Sequence, residues 1–83
     1  MGEETEIKLA LVKLQEAYPE SPFISIDVKN VMRCGEFKKD YYVYVFFERG
    51  GKRKAALGIG DGINTAICDM EIDLHKMKMD GVI

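Results

Sequence analysis

The chain has 83 residues, of which 47% are hydrophobic and 31% are charged, and its formal net charge is -2. This composition predicts one small globular domain, residues 1–83, and argues against a disordered chain. The near balance of charge disfavours a protein that binds nucleic acid through a general basic surplus. The longest apolar run, Tyr41 to Phe47, is far shorter than the ~20 residues of a transmembrane helix, so we expect no membrane partner.

The two cysteines, Cys34 and Cys68, form no CxxC pair and show no zinc-site spacing. Reduced thiols of this kind are typical of a cytoplasmic protein. Acidic residues, Glu3, Glu4 and Glu6, stand where a signal peptide would carry its basic region. The sequence therefore predicts a cytoplasmic protein with no metal and no cofactor.

The first predicted element is an amphipathic helix over residues 4–18. Ile7, Leu14 and Tyr18 recur at a spacing that places their side chains on one helical face. Pro19 ends this helix, because a residue that precedes proline avoids the helical conformation.

Apolar residues with a period of two predict three strands in the middle of the chain. The second strand contains the run Tyr41 to Phe47, whose odd-numbered and even-numbered side chains point to opposite faces. Since both sets are apolar, both faces of this strand need cover. The predicted bounds are 23–33, 40–48 and 53–60, with a hairpin connection over 33–39.

A second amphipathic helix is predicted over residues 62–78, with Ala66 and Leu74 in its apolar stripe. The aspartates Asp69 and Asp73 are expected mainly on its solvent side. The complete order is α-β-β-β-α. It predicts an α+β fold in which both helices cover one face of a three-stranded antiparallel meander.

Gly50-Gly51 is a two-residue hairpin signal, because type I′ and II′ turns need positive φ. A two-residue turn places Val45 opposite Ala56, and directly opposed side chains share a face. Small residues on the third strand let a helix lie close, so we assign that face to the helices. A three-residue loop would shift the register by one residue and change which third-strand residues are uncovered.

The other face is then an open, apolar surface. Patches above a few hundred Å² usually indicate association. We predict a non-catalytic protein-interaction module that forms a homodimer through this face. Its candidate partner-binding residues are Tyr42, Tyr44, Phe46, Leu57 and Ile59.

Catalysis is poorly supported by the residue types present. His75 is the only histidine, and Glu71 precedes it by one helical turn. A metal site needs three or four ligands, and nucleophilic catalysis needs a recognisable base beside its nucleophile. We therefore predict that the chain is not an enzyme.

The stretch Ala56 to Ala66, a strand of small residues that runs directly into a helix, resembles the double-stranded-RNA-binding domain. Pro22-Phe23-Ile24 is similar to the start of that family's first strand, and Tyr41-x-Val43-x-Val45-x-Phe47 to its second. The resemblance implies the α-β-β-β-α fold.

The residues that contact RNA in that family are not matched here. Where the family has lysines at the start of its second helix, this chain has Ile63, Asn64 and Ile67. In place of the family's Gly-Pro-x-His hairpin stands Cys34-Gly35-Glu36-Phe37. We therefore extend the resemblance to the fold and not to RNA binding.

Two alternatives stay open. The first is a domain that binds double-stranded or single-stranded RNA, with bases stacked on the aromatic residues. Its candidate contacts are Lys29, Lys52, Arg53 and Lys54. The second is a small inhibitor or accessory protein of a mobile element, resembling an anti-CRISPR protein.

Overall fold

A computed structural model describes residues 2–82 and contains two helices and one three-stranded sheet. Helix α1 spans Gly2–Ala17, strands β1, β2 and β3 span Ile24–Arg33, Glu36–Arg49 and Lys52–Gly60, and helix α2 spans Ile63–Met79. The sheet is antiparallel in the order β1-β2-β3, with both helices on one face. The predicted α+β fold class is confirmed. The predicted domain, 1–83, includes two terminal residues that lie outside the described ones.

The first hairpin is tighter than the sequence predicts. Arg33 pairs with Glu36, so the connection consists of Cys34 and Gly35 alone, and β2 begins four residues before the predicted position. Both turn residues have positive φ, 51° and 78°. That combination is typical of a type I′ turn, whose twist matches that of the flanking strands.

Gly50 and Gly51 form the predicted two-residue turn, with φ values of 57° and 78°. Val45 lies opposite Ala56, as this turn requires. The register with a two-residue turn is therefore confirmed, and the shifted register is wrong.

Helix α2 lies directly against β3 because β3 carries glycine at the crossing. A Cβ atom added to Gly58 would lie 2.7 Å from the Cβ atom of Met70 and closer still to the backbone of Ala66. At Gly60 an added Cβ would lie 2.7 Å from the amide nitrogen of Ala66. Only glycine allows this approach without displacing the helix.

The core lies between the helices and one face of the sheet. Tyr18, the residue directly after α1, packs its ring edge-on against Phe47 with 6.1 Å between centroids. This confirms that the odd-numbered side chains of β2 face the helices. The buried cluster comprises Leu14, Val43, Val45, Phe47, Ala56, Ala66, Met70 and Leu74.

Helix α1 is also tied to the sheet at its N-terminal end. The ammonium group of Lys39 donates a hydrogen bond of 2.9 Å to the carboxylate of Glu3. This bond lowers the pKa of Glu3 below its ordinary value. The contact joins the first turn of α1 to β2 across 36 positions of the chain.

Candidate functional site: the open sheet face

The sheet face opposite the helices is covered by no other element among residues 2–82. Leu57 lies opposite Tyr44, and Ile59 lies opposite Tyr42, so these side chains share one surface. The three aromatic side chains of β2 are half-buried by their neighbours within the sheet, and Ile59 is 44% exposed. The structure thus brings together all five predicted partner-binding residues on a surface we call the open face: Tyr42, Tyr44, Phe46, Leu57 and Ile59.

The aromatic rings of the open face pack against one another. Tyr44 and Phe46 are stacked with 6.3 Å between centroids and an interplanar angle of 25°. Phe23, just before β1, extends the row, with its ring 5.3 Å from that of Phe46 and 53% of the residue exposed. Such contacts hold aromatic side chains in place, so a partner would meet a surface that is already ordered.

Ser21 fixes the corner at which Phe23 enters the sheet. Its buried hydroxyl oxygen lies 2.6 Å from the carbonyl oxygen of Phe46 and 3.1 Å from that of Phe23. The hydroxyl can donate to either carbonyl and so ties the turn to β2. In the sequence, Ser21 before Pro22 signals only a turn, and this role is not predicted.

Paired charges lie beyond the apolar residues at the two ends of the open face. Near the second hairpin, the guanidinium group of Arg53 donates to Glu48 at 2.8 Å. Near the first hairpin, the guanidinium group of Arg33 donates a hydrogen bond to the carboxylate of Asp40 and forms an ion pair with it. This hydrogen bond raises the pKa of Arg33. The surface is therefore apolar at its centre and locally neutral at both ends.

The four basic residues predicted as nucleic-acid contacts do not form one patch. Lys29 lies on the open face, with its ammonium nitrogen 5.3 Å from the centre of the Tyr42 ring. Arg53 points to the same side but stands at the opposite end of the sheet. Lys52 and Lys54 alternate with Arg53 along β3 and so belong to the face that carries the helices.

Two aspartates of α2 close the outer edge of β3. Asp73 accepts a hydrogen bond of 2.9 Å from the backbone N–H of Leu57, and Asp69 accepts one of 3.0 Å from that of Ile59. The expected position on the solvent side of the helix is confirmed for Asp69, which is exposed, whereas Asp73 is half-buried against the strand edge. The sequence carries no signal for these two bonds, because aspartates four residues apart are equally common on a solvated helix surface.

Other reactive groups lie apart from the open face. His75 is exposed on α2, on the opposite side of the sheet, and Cys34 and Cys68 are exposed and unpaired. Within residues 2–82, no group of three or more histidine, cysteine or acidic side chains is placed to hold a metal ion. In the same span, neither helix is long and apolar enough to cross a lipid bilayer.

No protein-family model, curated protein or solved structure matches this chain. The element order and the antiparallel sheet are compatible with a fold like that of the double-stranded-RNA-binding domain. The function is therefore inferred from the geometry of the open face.

Proposed function

We propose that this chain is a non-catalytic protein-interaction module that pairs with a second copy of itself through the open face. One observation carries the proposal: aromatic side chains of β2 and aliphatic side chains of β3 form one continuous apolar surface that no element within residues 2–82 covers. Monomeric soluble proteins seldom expose contiguous apolar patches of more than a few hundred Å². A second copy would supply the missing cover.

The distribution of charge supports pairing between identical surfaces. Protein interfaces typically have an apolar centre and a polar rim. Here the rim includes the Arg53–Glu48 and Arg33–Asp40 ion pairs, in each of which one chain supplies both charges. Two open faces related by a two-fold axis would therefore meet without a large uncompensated charge.

The expected affinity is modest. Covering ~400 Å² of apolar surface stabilises a complex by about 10 kcal/mol at about 25 cal/mol per Å². Loss of rotational and translational freedom costs ~4–15 kcal/mol. Typical stable interfaces bury about 800 Å² on each partner, so the open face supports a weak, concentration-dependent dimer.

The decisive experiment measures mass in solution by size-exclusion chromatography with light scattering over a range of concentrations. Tyr44→Glu places a charge at the centre of the open face and should lower the average mass. Phe37→Glu is the matched control, because Phe37 is 75% exposed but lies near the first hairpin on the other face. It should leave the mass unchanged.

Ile59→Glu guards against a trivial loss of folding in Tyr44→Glu, because Ile59 is already 44% exposed. Circular dichroism and thermal melting should show that the variant is folded, and its mass should fall as that of Tyr44→Glu does. A wild-type protein that stays monomeric at millimolar concentration would contradict the proposal. So would folded variants with unchanged mass.

A second candidate function is the binding of single-stranded or double-stranded RNA. It is favoured by the position of Lys29 above the Tyr42 ring, since cations beside aromatic platforms are common at base-stacking sites. RNA binding is disfavoured by the position of Lys52 and Lys54, which lie on the face that carries the helices and not on the open face. Gel-shift titrations with both kinds of RNA at several salt concentrations test this function: steep salt dependence supports it, and no binding below ~100 µM removes it.

An inhibitor or accessory role in a mobile element, resembling an anti-CRISPR protein, remains the third hypothesis. It concerns what the open face binds and predicts a protein partner other than a second copy. Genes that neighbour this one in its genome would test it.

A further inference from the structure

The two outer edges of the sheet differ in whether their outward N–H groups donate hydrogen bonds. Along β3, Asp73 and Asp69 accept the outward N–H groups of Leu57 and Ile59. Along β1, Phe46 donates its N–H to the carbonyl oxygen of Phe23 at 3.0 Å, so the odd-numbered residues of β1 face β2. In the part of the chain that the structure describes, none of the outward N–H groups of β1 donates a hydrogen bond. They belong to Ile24, Ile26, Val28, Asn30 and Met32.

We propose that the outer edge of β1 pairs with the outer edge of β1 in a second copy, antiparallel, to form a continuous six-stranded sheet. Strand β1 has ten residues, whereas unprotected edge strands in natural proteins are usually very short. An exposed edge of this length offers main-chain donors and acceptors to another strand. Strand addition of this kind is a common mode of association.

The charges on β1, together with the number of outward N–H groups engaged, favour one register. A two-fold axis through Val28 places Asp27 of each copy opposite Lys29 of the other, and it engages all five outward N–H groups. An axis through Asp27 would place two aspartates directly opposite each other, and an axis through Lys29 would do the same with two lysines. Like charges opposite each other destabilise strand pairs, and opposite charges stabilise them.

The same register covers the side chain of Met32, which is exposed to solvent in the single chain. It places Met32 of one copy opposite Ile24 of the other, on the face that carries the helices. Met32 is 65% exposed in the single chain. Pairing at the Val28-centred register would thus cover exposed apolar surface as well as satisfy backbone groups.

This edge contact is separate from the proposed contact between open faces. Val28→Pro removes one outward N–H and leaves every bond between β1 and β2 intact, and proline is tolerated on edge strands in this orientation. Ala55→Pro is the matched control, because the N–H of Ala55 points outward on β3 at the opposite edge. Its side chain lies opposite Phe46 on the side of the open face, so both proline variants are also measured in the Tyr44→Glu background, where the open-face contact is removed. Light scattering should show that Val28→Pro halves the mass of the largest wild-type assembly, whereas Ala55→Pro leaves it unchanged.

Hydrogen exchange gives a second reading at single residues. The amides of Ile26 and Asn30 should exchange slowly in wild-type protein at high concentration and faster after dilution or in Val28→Pro. Equal mass of Val28→Pro and wild type, with rapid exchange of both amides at every concentration, would overturn the proposal. Because Tyr44→Glu disrupts only the open face, failure of one contact is distinguishable from failure of the other.

A charge swap tests the register. Asp27→Lys and Lys29→Asp should each weaken the edge contact by roughly tenfold, since each creates two like-charge pairs across the axis. The double variant Asp27→Lys/Lys29→Asp should restore it, although it also loses the contact between Lys29 and the Tyr42 ring. Single variants that associate as wild type does, or a double variant that fails to recover, would overturn the Val28-centred register.

Discussion

Gly58→Ala tests the packing on which the open face depends. The new methyl group would lie 2.7 Å from the Cβ atom of Met70 and would overlap the backbone of Ala66. Overpacking of a core typically costs ~1–3 kcal/mol. Because the nearest atoms here belong to the backbone of α2 and cannot rotate away, we expect a loss of at least about 3 kcal/mol.

That loss is large for a chain of this size, whose total stability is expected to lie near 4–12 kcal/mol at about 0.05–0.15 kcal/mol per residue. Each kcal/mol corresponds to roughly 4–8 °C in melting temperature for a small domain. The melting temperature of Gly58→Ala should therefore fall by about 12–24 °C. Thermal and urea unfolding followed by circular dichroism measure it.

Gly2→Ala is the control, because an added Cβ at Gly2 meets nothing within 4 Å. It should change stability by less than about 0.5 kcal/mol. If Gly58→Ala were equally mild, α2 would not approach β3 at this point. The assignment of Leu57 and Ile59 to the face without helices would then lose its structural basis.

Two further predictions concern contacts between helices and sheet. Asp73→Ala should lower the free energy of unfolding by about 1–2 kcal/mol and accelerate hydrogen exchange at the amide of Leu57, because it removes a part-buried acceptor. Asp73→Asn keeps an acceptor oxygen and should lower the free energy of unfolding by less. The hydrogen bond from Lys39 lowers the pKa of Glu3 in the folded protein. The contact therefore stabilises the fold above the unfolded pKa of Glu3, near 4.5, and this stabilisation is lost as pH falls through the lower folded pKa. Urea unfolding between about pH 3 and pH 6 should therefore show a weaker acid dependence for Glu3→Gln than for wild type. An unchanged dependence would contradict this contact, and Glu16→Gln serves as an exposed control on the same helix.

The sequence predicts the fold and the open face because two local signals agree. Gly50-Gly51 sets a two-residue turn, and that turn places Ala56 and Gly58 on the same face as Val45. Small residues at these positions are what a closely packed helix requires. The turn residues and the small side chains of β3 predict the same register between β2 and β3, and the structure shows that register.

The first hairpin and the β3 edge could not be predicted in this way. Cys34 adopts a φ of 51° although it is not one of the residues that favour positive φ, so Gly35 alone signals a connection here and the exact position of the two-residue turn is not specified. Asp69 and Asp73 look like ordinary surface acids on a helix. Their contacts depend on how far α2 lies from the edge of β3, which is a tertiary distance and not a local property.

The contrast between neighbouring strands is the strongest argument that the open face serves contact and not only stability. An antiparallel sheet with one face in water normally alternates apolar and polar residues along each strand. Strand β1 does so, since its open-face side chains include Ser25, Asp27 and Lys29. The central strand, β2, instead presents Tyr44 and Phe46 to the same side. Polar or β-branched residues would satisfy the strand equally well with less risk of aggregation. Aromatic residues at the centre of an otherwise ordinary solvent face therefore support the proposal that a partner covers this part of the sheet.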